Sequence, residues 1–168
     1  MELPIENKVE KANIKQIDLI DFVGNAPIYP FDLKGGLWQG MAVKEKEFRQ
    51  FIKDTDWSNF ANQLVTIYCS VDAIIPAWAY MLATTELNKV EAKVFFGDSS
   101  ATQEAIFFQN LHQMDLSPFT DERVMVKGCS NIPNPTRAYV ELTNILVPVV
   151  KSLMFGEPCS AVPVYKKR

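Results

Sequence analysis

A single histidine, His112, leaves any mechanism that needs an imidazole with one candidate in 168 residues. Its expected place is late in a helix, where the dipole favours the charged ring and a surface or capping role is the simpler one. No Ser-His-acid triad can be read around it. Cysteine is nearly as scarce: Cys69, Cys129 and Cys159 are an odd number that cannot all pair within one chain. In a reducing compartment such residues are free thiols or metal ligands. No window approaches the length of a membrane span, and the start Met1-Glu2-Leu3-Pro4 lacks the basic and apolar regions of a signal peptide. A cytoplasmic protein without a membrane partner is therefore expected. Neither sign of charge dominates, with 17 basic against 20 acidic residues and a net charge of -3. The only basic cluster is the terminal Lys166-Lys167-Arg168, so nucleic acid is not an expected partner. No GxGxxG or P-loop pattern is present.

Apolar residues are plentiful, at 48% of the chain, enough to bury a core without disulfide or metal staples. One domain over 1–168 is expected, with residues 1–12 a loose arm or a surface helix and 156–168 an extended tail. Ile17–Phe22 reads as an edge strand, and Ile28–Leu33 as a second extended run kept near an edge by Pro27 and Pro30. Leu37–Val43 is readable either as a third extended piece or as a tight turn of helix. From Lys44 to Asp54 the spacing turns helical, with Phe48, Phe51 and Ile52 on one face.

The second half alternates strand and helix. Leu64–Tyr68 is a buried strand by its β-branched and aromatic content, and a helix is expected over Asp72–Leu87 with Pro76 in its first turn. Lys93–Phe96 is the next strand, and Ser100 with Gln103 gives the following helix a capping-box spacing. The stretch from Arg123 is the third, a short strand ending in a glycine and a thiol, Gly128-Cys129, and Asn134-Pro135 starts a helix expected to reach Leu153 with a kink at Pro148 and an end at Gly156. The fold class is thus α/β, a parallel βαβαβα core preceded by N-terminal strands and one helix. The pairs Cys69-Ser70, Ser99-Ser100 and Cys129-Ser130 stand 30 residues apart, a natural βα length that needs no duplication.

Ligands of parallel sheets bind beyond the carboxyl ends of the strands, where helix N-termini present free N–H groups. Cys69, Ser70, Asp98, Cys129 and Ser130 fall there and are the candidate ligand-binding residues. A helix dipole also favours thiolate, so Cys69, Cys129 and Cys159 form a candidate metal set for zinc or an iron-sulfur cluster, completed by Asp98, Asp72, His112 or water. The spacing is not diagnostic, since no Cys-x-x-Cys occurs. The plainer use of such cysteines is as small buried hydrophobes, and of Asp72 and Asp98 as helix caps. Trp78 and Tyr80 are expected in the core. Lys127 is a candidate anion partner or a solvent-facing strand residue, and Lys151 a partner for a helix C-terminus.

The segments Lys127-Gly128-Cys129-Ser130, Ala138–Leu142, Tyr68–Met81 and above all Val150–Ser160 resemble a bacterial family known only as domain of unknown function 2480. The resemblance covers nearly the whole chain and implies a single small domain; it supplies no activity, cofactor or catalytic residue. On these grounds the expected function is binding of a small molecule or metal ion at the carboxyl edge of the sheet. The alternatives are a thiol- or metal-dependent enzyme, and a structural or interaction protein, with the cysteines as core packing and a homodimer through an edge strand or the aromatic N-terminal half.

Overall fold

The computed structural model describes residues 14–128, 131–157 and 160–168. In chain order these hold β1 (Ile14–Ile17), β2 (Ile28–Asp32), α1 (Glu45–Asp54), β3 (Leu64–Tyr68), α2 (Ala77–Lys89), β4 (Lys93–Phe96), α3 (Ser99–His112), β5 (Arg123–Val126), α4 (Pro135–Leu146), β6 (Ser152–Phe155) and β7 (Val162–Lys166). The protein is α/β, as expected, with two mostly parallel sheets. The contacts divide the chain into a middle unit, Asn25–Ala105, and a flanking unit made from the chain up to Gly24 and from Ile106 onward.

The middle unit holds the sheet β2-β3-β4, parallel throughout. Val65, Thr66 and Ile67 of β3 are buried, as a central strand with β-branched residues on both faces requires. Pro30 is tolerated because β2 lies at the edge. Phe48 and Ile52, four apart, are the buried stripe of α1, which carries Glu45 and Glu47 in its first turn and Lys53 in its last, in the sense its dipole favours. Leu37–Val43 is neither a strand nor a turn of helix but a tight turn closed by an antiparallel bridge between Trp38 and Ala42. The helix expected from Asp72 begins only at Ala77. Pro76 is its N-cap, with φ -69° and ψ 148°, and its ring disfavours helical backbone in the residue before it. Asp72 therefore caps nothing.

The flanking unit holds the sheet β1-β5-β6-β7, in which only β7 runs antiparallel. The three strand–helix units are thus shared between two sheets: β3 and β4 pair with each other, whereas β5 pairs with β1 and β6. The helix expected to reach Leu153 ends at Leu146 instead. Pro148 lacks an N–H and does more than kink α4: the chain leaves the helix, and Ser152–Phe155 becomes a strand with Leu153 buried in it. Gly156 consequently follows a strand, and Lys151 lies in the bend before β6, its amide donating to Glu122 O at 2.8 Å. The extended tail is β7.

The two units follow one plan, which alignment of their hydrogen bonds exposes. Residues of the middle unit from α1 onward correspond to residues 59 positions later. Phe48 and Ile52 match Phe107 and Leu111, and Ala79, Ala83 and Leu87 match Ala138, Leu142 and Leu146, all buried. Asp56 caps Ser58 as Asp115 caps Ser117. Asn62 and Asp121 both have positive φ, of 59° and 56°, and their amides donate to Val90 O and Val149 O. The first strands also match: Ile28 pairs with Leu64 as Ile14 pairs with Arg123. Asp32 at the end of β2 and Asp18 just after β1 each cap a 3-10 turn and precede a fully buried Leu. One copy of the plan is inserted after the first strand and turn of the other. The 30-residue spacing of the Cys-Ser pairs is not this repeat.

Candidate functional site at the carboxyl ends of the strands

In the middle unit the parallel strands bring Asp32, Cys69, Ser70 and Asp98 to one edge. Asp32, which sequence reasoning left out, joins two of the loops: its Oδ1 accepts from the amides of Lys34 at 2.9 Å and Ser70 at 3.1 Å. Burial pushes its pKa up, but the Ser70 hydroxyl, the Lys34 and Ser70 amides and the Lys34 charge outweigh this and leave it below the ordinary value. Asp98 is a helix cap, as expected, with Oδ1 accepting from Ala101 N at 2.8 Å; it, and not Ser100, starts α3. Behind this edge, Thr102 Oγ1 donates to Thr66 Oγ1 at 2.8 Å and Thr66 Oγ1 donates to Gly97 O, a buried chain that ties α3 to the strand ends.

Cys69 is a half-buried free thiol. Burial raises the pKa of Tyr80, and negative charge on Cys69 raises it further. The Tyr80 ring meets Phe96 edge-on with centroids 5.5 Å apart. Trp78 is partly exposed and meets Phe48 edge-on at 5.6 Å, while Trp57 packs on Phe31 at 4.9 Å.

β5, the strand that precedes Cys129 in the sequence, belongs to the other sheet, so the single carboxyl edge expected for Cys69, Asp98 and Cys129 is divided between sheets. Cys129, Ser130 and Cys159 lie outside the described residues. Among the described residues no group of three or more His, Cys, Asp or Glu is arranged to hold a metal ion. His112 Nε2, on an exposed ring, lies 2.9 Å from the buried Oε2 of Glu141, and Arg137 Nε donates to Glu141 Oε1 at 2.6 Å. Lys127 Nζ lies 3.3 Å from Asp18 Oδ2.

The flanking unit carries an apolar cavity of about 310 Å³ at its own strand ends, lined chiefly by Val126, Tyr139, Leu142, Leu153, Phe155 and Val164. Tyr139 meets Phe155 edge-on at 5.2 Å and donates its hydroxyl to Lys127 O at 3.2 Å. These are the counterparts of Tyr80 and Phe96, and β7 supplies Val164 as the extra wall. The cavity was missed because its rear wall, β6, reads as helix in sequence; the repeated Pro-x-x-Ala-Tyr at Pro76–Tyr80 and Pro135–Tyr139, with Phe-Gly at 96–97 and 155–156, is the signal that marks it.

Among the described residues no helix is long and apolar enough to cross a membrane. A family model described as a protein of unknown function, DUF2480, matches residues 3–167. No curated protein and no solved structure matches.

Proposed function

The chain belongs to this family of unknown function, DUF2480, and from the geometry of its strand ends we propose that it binds a small, largely apolar ligand in the cavity of the flanking unit. The observation that carries this reading is the cavity itself: concave, apolar, at the carboxyl ends of parallel strands, with Tyr139 in its lining, held by its hydroxyl on Lys127 O. Cys129 and Ser130 follow the end of β5 in the sequence after two intervening residues and belong to the proposal as the polar groups that orient the ligand. Cys69, Ser70 and Asp98 are the polar groups proposed for the strand ends of the middle unit. The protein is proposed to act in the cytoplasm, where these thiols stay reduced.

The reading is tested with the apolar fluorophore 1-anilinonaphthalene-8-sulfonate on the wild type and a Val164→Trp variant that fills the mouth of the cavity. Saturable binding lost in the folded variant supports it. Absence of saturable binding, or binding that Val164→Trp leaves intact, sinks it. The competing form of the proposal, a zinc or iron-sulfur site on Cys69, Cys129 and Cys159, is separated by metal analysis of protein purified without an affinity tag: near-stoichiometric metal lost in each Cys→Ala variant would favour it.

A further inference from the structure

We infer that two copies of this chain associate through the outer edge of β4, forming a continuous sheet across a two-fold axis. This inference is independent of the ligand reading. The two copies of the plan differ at this edge: β6 is covered on its outer side by the antiparallel β7, whereas its counterpart β4 has no strand beyond it among the described residues. The side chains register the difference. Phe155, beside β7, is 37% exposed, and its counterpart Phe96 is 74% exposed.

The backbone shows which groups are free. Lys93 N donates to Gln63 O and Gly97 N to Ile67 O, so residues 93, 95 and 97 face β3. Parallel pairing alternates, and the N–H and C=O groups of Val94 and Phe96 therefore point outward. Their counterparts Leu153 and Phe155 are the residues of β6 that pair with Tyr165 and Val162 of β7. The chain's own repeat thus states the preferred occupant: an antiparallel strand in register with Val94 and Phe96.

A second copy satisfies this requirement by symmetry, because a strand that meets itself across a two-fold axis is necessarily antiparallel. Pairing Val94 with Phe96 of the second copy, and the reverse, gives four ladder hydrogen bonds and sets the two Phe95 side chains opposite each other on the axis. The same register brings Lys93 opposite Gly97 of the second copy and next to its Asp98. Both charged residues are exposed, and their signs are complementary. An exposed edge of this kind is otherwise a hazard for open-ended association, which closure as a dimer removes.

Sedimentation equilibrium of the whole chain tests the inference, with two variants. Val94→Pro removes one outward N–H per copy and no hydrogen bond to β3, so it should leave the circular dichroism unchanged and weaken the dimer by about tenfold or more, the equivalent of about 1.4 kcal/mol. Phe95→Cys should give an intermolecular disulfide between the two positions 95 under mild oxidation, identified by peptide mass spectrometry. A wild type that stays monomeric at its highest soluble concentration overturns the inference. So does a dimer that folded Val94→Pro leaves intact. If Val94→Pro does not fold, the cross-link decides: its absence in a dimeric protein overturns the register and the interface.

Discussion

The carboxylate of Asp32 accepts a hydrogen bond from the amide of Ser70 at 3.1 Å, fastening the end of β2 to the turn that follows β3. The same oxygen caps the Leu33–Gly36 turn through Lys34 N. One side chain therefore holds two loops of the middle unit. Asp32→Ala should cost about 0.5–2 kcal/mol, the usual range for a lost cap. Because the folded-state pKa of Asp32 lies below its ordinary value, its contribution is complete above the ordinary carboxylate range and is lost as pH falls through the lowered value. Urea titrations should show a gap between wild type and variant at neutral pH that narrows in acid; a gap of constant size would contradict the hydrogen-bonded carboxylate.

Thr66 and Thr102 are the two buried polar residues beneath that edge. Thr66→Val deprives Thr102 Oγ1 of its acceptor and Gly97 O of its donor, and a buried group left without a partner costs about 1–3 kcal/mol. In the double variant Thr66→Val with Thr102→Val no Thr102 hydroxyl is left to strand. The double loss should thus be smaller than the sum of the single losses. Strict additivity in a double-mutant cycle would show that the chain of hydroxyls is not a unit.

The parts of this fold legible in the sequence were those with local signals. The helix over Glu45–Asp54 follows from Phe48 and Ile52 at a spacing of four, β3 from its β-branched run, and the edge position of β2 from Pro30. The helix of Pro135 was legible at its start and not at its end, since Ala138, Leu142, Ile145, Val149 and Leu153 keep a helical spacing across Pro148. What breaks the pattern is tertiary: Ser152–Phe155 gains a ladder on each side, from β5 and β7, which outweighs its local periodicity. The allocation of β5 to a second sheet was hidden for a related reason. Its partner β1 lies more than a hundred residues upstream, beyond any local pattern. Of the candidate site, Asp98 as a cap and the strand-end position of Cys69 were legible. Asp32 was not, because its role depends on a partner 38 residues away.

Gly97 and Gly156 stand at matching positions after β4 and β6 with φ of 118° and 114°, backbone that L side chains rarely adopt. An added Cβ would lie 2.9 Å from the Cβ of Ala101 at Gly97 and 3.2 Å from Ser160 O at Gly156. Alanine at either position should cost more than the roughly 0.4–1 kcal/mol gained from a stiffer unfolded chain. Net destabilisation in thermal melts is expected for both. Gly128→Ala meets only the Phe155 ring, at 3.0 Å, and should be the mildest of the three.

Tyr80 reports on the one described cysteine. Its phenol is raised above the ordinary value by burial first and by charge on Cys69 second. A tyrosine with a raised folded-state pKa stabilises fully below its unfolded value, and that stabilisation is lost as pH rises through the folded value. Absorbance titration at alkaline pH should therefore contain a late phase that is absent in Tyr80→Phe. Cys69→Ala removes the neighbouring charge but leaves the surrounding packing largely in place, so the late phase should move to lower pH and remain above that of a free tyrosine. An unmoved phase would place the thiol too far from the phenol to interact. Complete return to the ordinary value would instead make the thiolate, and not burial, the principal cause.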